Sequence, residues 1–273
     1  MKSFNISRII GKSILFAVVL IIVLPLIWTV MNALKENVDI RTLTPRIFFD
    51  PTFEHIAYVL ERKSVANALI NSLWICVSAV VIGIALGFPA AYAVARYRNR
   101  WTNEVQFFVL SLRFLPPVAI AIPLMVIWLN LGVYDTRLAM IATYSLLTIS
   151  ITIWLSVPAF QQVPIAIEEA ARVDGYGAYS VFWKIALPVA MKTLLGAIAF
   201  SFVLIWNEFL IALMLTTSDA KTLPIIASEM SQVGFDTPWG ILNAAVVLLS
   251  IPPLLLLGLL SGFMNAIFLN ESR

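Results

Sequence analysis

Long apolar runs alternate with short polar segments along this chain. Uncharged or nearly uncharged stretches cover residues 13–32, 68–95, 107–131, 138–157, 193–215 and 241–269. About 20 apolar residues in a helix cross a hydrocarbon core of roughly 30 Å, so each stretch predicts a membrane span. None alternates strictly between apolar and polar as a barrel strand would, and a lipid-exposed backbone must satisfy its own hydrogen bonds, so all six are expected to be helices. The pattern predicts an all-α membrane protein with six transmembrane helices in a single transmembrane domain, residues 1–273.

The segments between the runs differ in length and charge. They comprise a first outer segment (32–66), a short basic turn (96–104), a tight turn near Asp135, a long loop (158–191) and a further loop (216–240). Arg96, Arg98 and Arg100 cluster in the basic turn, and basic residues favour the cytoplasmic side. Six crossings with that turn inside put both termini in the cytoplasm. The first run follows a short basic N-terminus as a signal peptide would, but its 22 uncharged residues between Lys12 and Lys35 favour an uncleaved anchor.

Composition agrees with lipid as the solvent and removes other classes. Of 273 residues 61% are hydrophobic and 12% charged, against about 45–50% and about 25% in soluble domains. One cysteine, Cys76, and one histidine, His55, leave no disulfide and a poor metal site. A net charge of +3 without long basic runs gives no grip on nucleic acid. His55 alone offers no nucleophile and base pair, which sets aside an intramembrane enzyme.

The loop 158–191 is where function is expected. Pro158 and Pro164 are expected to end the fourth span. Ile165–Asp174 is rich in helix formers, and Gly175 follows where an αL C-cap would sit. A second amphipathic stretch, Ala178–Leu187, places Val181, Phe182, Ile185 and Ala186 near one face, and Pro188 is expected to open the fifth span. Two short helices joined at a sharp bend would present a partly apolar knob to a soluble partner.

Within that knob, Glu169-Ala170-Ala171, then Asp174-Gly175, then Ile185-Ala-Leu187-Pro188 resemble the EAA loop of binding-protein-dependent ABC importer permeases. Trp206-Asn207-Glu208-Phe209, Arg113-Phe-Leu-Pro116-Pro117 and Leu223-Pro224 resemble the MalG-like member of the maltose-type carbohydrate importers. The resemblance implies the type I importer fold, with the loop acting as a coupling helix that docks into an ATP-hydrolysing subunit. It implies a second, MalF-like permease, two cytoplasmic ATPase subunits, an extracytoplasmic substrate-binding protein, and a place in the cell inner membrane. ATP and Mg then belong to the ATPase subunits, and this chain binds no cofactor. The sequence agrees that it has no ATPase site: Gly11-Lys12-Ser13 mimics the end of a P-loop, but Ile6 stands where the upstream glycine is required.

Two charges fall inside spans, and intramembrane ionisable groups are functional candidates by default. Arg113 is close enough to one end of its span to snorkel. Glu208, with Asn207 beside it, lies deep in the fifth span as a possible translocation path or gate. An ion-gradient-driven secondary transporter is the alternative function, although that class favours inverted repeats and several midplane carboxylates.

Overall fold

The computed structural model describes residues 6–97, 100–111, 114–232 and 237–271; Arg98 and Arg113 lie outside them. The described residues form helices and no strand. In chain order these are α1 (Ile6–Leu34), one-turn α2 (Asn37–Ile40), α3 (Glu54–Glu61), α4 (Lys63–Arg96), α5 (Arg100–Ser111), α6 (Pro117–Asn130) and α7 (Arg137–Gln161). They are followed by α8 (Ile165–Val173), α9 (Ala178–Val181), a π-helical turn (Phe182–Ala186), α10 (Leu187–Trp206), α11 (Leu210–Leu215), α12 (Leu223–Glu229) and α13 (Trp239–Glu271). Among the described residues five helices are long and apolar enough to cross a membrane: Ile10–Leu34, Lys63–Arg96, Arg137–Gln161, Ala178–Trp206 and Trp239–Gly262.

Two expected spans are broken helices. The stretch 107–131 divides into α5 and α6, and α6 has Pro116 at its N-cap and Pro117 at its first position. The residue before a proline is pushed out of the α region and proline brings no N–H, so a Pro-Pro pair starts a helix more readily than it continues one. The 14 residues of α6 reach only about 21 Å. The stretch 193–215 ends as a helix at Trp206 and resumes at Leu210.

Proline placement is corrected in the long loop as well. Pro158 does not end the fourth span: it lies inside α7, which runs on to Gln161. One interior proline forfeits one backbone bond and bends the helix without ending it. Pro188 does stand at the start of α10, as expected, although the chain is already helical before it, from Ala178 to Trp206.

The chain divides into two compact units, residues up to Ala66 with Ile226–Ile251, and Asn67–Ile225 with the residues from Pro252 on. In the first, the end of α1 closes into a polar knot. Lys35 is buried with its Nζ 4.4 Å above the Trp28 ring and 5.2 Å above that of Phe49, a cation–π arrangement that replaces an acidic partner. His55 is also buried, its Nε2 3.0 Å from the Lys35 carbonyl oxygen, and Gly240 approaches its ring so closely that a Cβ there would collide. The lone histidine is therefore a packing residue.

In the second unit α7 is the central strut, lined on its buried face by Thr143, Ser145, Thr148, Ser150, Thr152 and Ser156. Several of these hydroxyls donate to the carbonyl one turn back, Ser145 to Ile141 at 2.7 Å and Thr148 to Tyr144 at 2.7 Å, which satisfies them without water. The small face lets α4 come close: Gly83 meets Thr148 and Gly87 meets Thr152, as small residues do at membrane helix crossings. On the other side Thr152 Oγ1 is 3.4 Å from Ser201 Oγ of α10.

A Cβ at Gly87 would stand 2.8 Å from Thr152 Cγ2 and 2.9 Å from its Cβ. Gly87→Ala is expected to cost about 1–3 kcal/mol as overpacking. The measurement is thermal unfolding of the detergent-solubilised protein, and adding Thr152→Ser, which removes the clashing methyl, is expected to recover part of the loss.

Candidate functional site

The long loop folds as α8, a tight bend, and the α9–π–α10 rod. Glu168 in the first turn of α8 and Arg172 in the last complement the helix dipole. Its C-terminus closes in a Schellman motif: Tyr176 N–H donates to the Ala171 carbonyl at 3.0 Å and Gly175 N–H to that of Arg172 at 3.1 Å. Gly175 has φ +89°, the left-handed geometry its position in the sequence predicts.

Of the EAA-loop residues, Glu169, Ala170, Asp174 and Gly175 are exposed on this knob, with Pro188 exposed on the rod. Ala171 and Leu187 are buried and Ile185 is half-buried, so these residues hold the knob together rather than form its surface. Val173, Tyr179, Ile165 and Trp183 are exposed apolar side chains beside the bend. Together they leave an exposed apolar patch at the tip of the helix pair.

What fixes the knob went unread in the sequence. Glu168, next to the recognised Glu169, is only 1% exposed. Its Oε1 accepts from Arg96 Nε at 2.9 Å and Nη2 at 2.5 Å, and its Oε2 accepts from Tyr92 Oη at 2.7 Å. Arg96 Nη2 also donates to the Val163 carbonyl at 3.0 Å. In the sequence Arg96 stands out only as an orientation charge. The available signal was that Glu168 shares a helix face with Ala171, three residues on, which makes it an acid on a buried face. Removing one member of such a pair leaves a buried charge uncompensated, at a cost of about 3–5 kcal/mol. Beneath it the rings of Tyr92, Phe160 and Phe182 meet at centroid distances of 5.2–6.0 Å, joining α4, α7 and the π turn in one core.

Glu208 and Asn207 occupy the break between α10 and α11. Both Glu208 oxygens serve this chain: Oε1 accepts from Ile211 N–H at 2.9 Å, and Oε2 accepts from Ala212 N–H at 3.1 Å and Tyr144 Oη at 2.7 Å. The carboxylate thus caps α11, and by supplying partners for its orphan N–H groups it allows the span to break. The enclosed space beside it, lined by Ser72, Cys76, Tyr144, Trp206 and Thr222 among others, measures about 10 Å³. That is room for one water molecule and no sugar ring. Asn207 is exposed, its Nδ2 donating to the Val203 carbonyl at 2.8 Å.

At the other end of α7, Asp135 organises the loop after α11. Its carboxylate accepts from the backbone N–H groups of Thr217, Ser218, Asp219 and Ala220 at 2.9–3.1 Å and from the hydroxyls of Thr217 and Ser218 at 2.8 and 3.0 Å. Asp135 adopts φ 57°, a left-handed geometry that Asp tolerates better than most residues. The loop is tied a second time through Asn71, whose Nδ2 donates to the carbonyls of Asp219 and Lys221 at 2.8 and 3.0 Å. Partial burial raises the Asp135 pKa, but the hydrogen bonds from Asp219, Thr217 and Ala220 outweigh it and hold the carboxyl well below the usual carboxylate range.

The chain as a whole is similar to known proteins. Residues 79–270 match the family described as binding-protein-dependent transport system inner membrane component. A probable ABC transporter permease protein of Sinorhizobium fredii is 33% identical over 84% of this chain and 82% of its own length. The trehalose transport system permease protein SugB of Mycobacterium tuberculosis is 30% identical over 84% of each chain. The trehalose/maltose transport system permease protein MalG of Thermococcus litoralis is 29% identical over 91% of this chain and 89% of its own. Among solved structures, a chain of a bacterial ABC transporter involved in the import of the acidic polysaccharide alginate superposes with TM-score 0.75 at 20% identity, covering 96% of this chain and 98% of that one.

The family match and these relatives make the chain a membrane permease subunit of an ABC importer. The chain belongs to the family of binding-protein-dependent transport system inner membrane components.

Because the folded pKa of Asp135 is depressed, the stability it contributes is complete above its unfolded value of about 3.9 and is lost as pH falls through the lower folded value. Asp135→Asn is therefore expected to melt below the wild type at pH 7, and the gap is expected to narrow only below about pH 4. Melting curves of both proteins between pH 7 and pH 3 measure this.

Proposed function

We propose that this chain is the MalG-like permease of a carbohydrate or polyol importer. It would form the pathway with a MalF-like permease, take substrate from an extracytoplasmic binding protein, and be driven by two cytoplasmic ATPase subunits that carry ATP and Mg. The sugar assignment rests on the names of relatives such as SugB and MalG. In the inner membrane, six crossings with the Arg96 end of α4 facing the cytoplasm would place both termini inside, with α5 and α6 together making the third crossing.

The observation that carries the coupling role is the knob itself. Glu169, Ala170, Asp174 and Gly175 lie at its exposed tip beside Val173 and Tyr179, while Ala171, Ile185, Leu187 and Pro188 join it to the rod that becomes α10. ATP-driven closure of the ATPase dimer would push on α8, and the rod would tilt with it, switching access between two states. Glu208 shapes the path by capping a broken helix rather than by touching the sugar, with the exposed Asn207 as the side chain nearer the pathway. Arg113 is retained as a path residue on the sequence pattern alone.

The test is copurification in mild detergent with candidate ATPase subunits, followed by ATP hydrolysis with and without loaded binding protein. The wild type is expected to copurify and to show stimulated hydrolysis. Gly175→Pro cannot adopt positive φ, so it is expected to insert normally but to lower import at least about tenfold while hydrolysis persists. Normal import by that variant, or import without any ATPase subunit, would overturn the reading.

A further inference from the structure

The chain connects α8 directly to α7 on one side and to the α9–α10 rod on the other. Helix α4 has no such connection, since Arg96 precedes Glu168 by 72 residues. Yet α4 is fastened to α8 by side-chain hydrogen bonds. Tyr92 and Arg96 are one turn apart on α4 and both end on the Glu168 carboxylate. The same guanidinium reaches past it to the Val163 carbonyl, so α4 grips both the first turn of α8 and the backbone just before it. The side chains of Arg96 and Glu168 are 9% and 2% exposed, so little solvent intervenes between them. The Arg96 guanidinium also lies 5.6 Å over the Tyr92 ring.

We propose that Tyr92, Arg96 and Glu168 are positioning residues forming a lock that carries movement of α8 into α4. The lock rests on the coupling reading above and extends it. Three long helices, α4, α7 and α10, are then driven together: α4 already packs on α7 and the π turn, and this polar junction fastens it to α8 itself. Rotation of α8 about its own axis would pull Glu168 out of a site where water cannot replace its three donors, so α8 and the Arg96 end of α4 travel as one body.

The experiment separates the lock from simple structural support by removing both charges at once. Glu168→Met with Arg96→Met replaces a buried ion pair by apolar side chains, a change that often leaves stability unharmed. Spin labels are placed through Leu86→Cys on α4 and Ile167→Cys on α8 away from its tip, both exposed, while the native Cys76 is buried. Distances are measured by pulsed electron resonance in the complex with its ATPase subunits, without nucleotide and with ATP trapped by vanadate.

With the lock intact the label distance is expected to be the same in both states. In the double methionine variant, matched to the parent in melting temperature, it is expected to shift or broaden by on the order of a few ångströms, one helical residue rise or more. A nucleotide-dependent distance in the parent, or an unchanged distance in the variant, overturns the lock and leaves the coupling reading standing. Failure of the unsubstituted chain to bind any ATPase subunit overturns both. Should the double variant not fold, Tyr92→Phe, which removes one donor and keeps the ring, serves in its place: an ATP-dependent broadening supports the lock and an unchanged distance overturns it.

Discussion

In a medium without water, every backbone and side-chain polar group has to find its partner inside the protein, and each one left alone costs several kcal/mol. Most of this structure follows from that condition. It makes the apolar runs helical, folds the Ser145, Thr148 and Ser150 hydroxyls of α7 back onto their own backbone, and stacks the buried Lys35 ammonium on aromatic rings. It also explains how charges survive at depth. Glu208 is tolerated because two N–H groups and a phenol surround it, and Glu168 because a guanidinium and a phenol do.

The same condition governs where helices break. Pro116-Pro117 interrupts the third apolar run by removing donors, so fewer N–H groups are orphaned. The fifth run is interrupted by the opposite device, an acceptor brought to donors that the break exposes. Between them the π-helical turn at Phe182–Ala186 keeps the rod continuous while shifting the register of its side chains, so that Phe182 and Ala186 both face the core shared with α4 and α7. The two ends of the unit are thereby given different characters. One end is an aromatic core topped by a fixed knob; the other is a loop laced to Asp135 and Asn71.

Much of this was legible in the order of residues. The runs 13–32, 68–95, 138–157 and 241–269 fall within α1, α4, α7 and α13, because a long uncharged stretch has one way to satisfy its backbone. Gly175 was legible because a left-handed cap is a local need. The candidate site was legible in part. Glu169 and Gly175 announced the loop, while the neighbouring Glu168, which anchors it, looked like one more helix-forming acid. Asp135 read as a turn residue, and nothing near it in sequence indicated that four successive N–H groups more than 80 positions away would close around it.

The residues by themselves determined the solvent, the helices, the bend and the family, since hydropathy, capping and motif spacing act over a few turns of chain. Only the tertiary structure decided the roles of the isolated charges. A carboxylate's role depends on which donors surround it. Those of Glu168 come from a helix 72 or more residues earlier, and one of Glu208's comes from 64 residues away, distances over which local pattern carries no record of contact. The polarity of a single position states that a partner is required, and the packing of helices states which one it is.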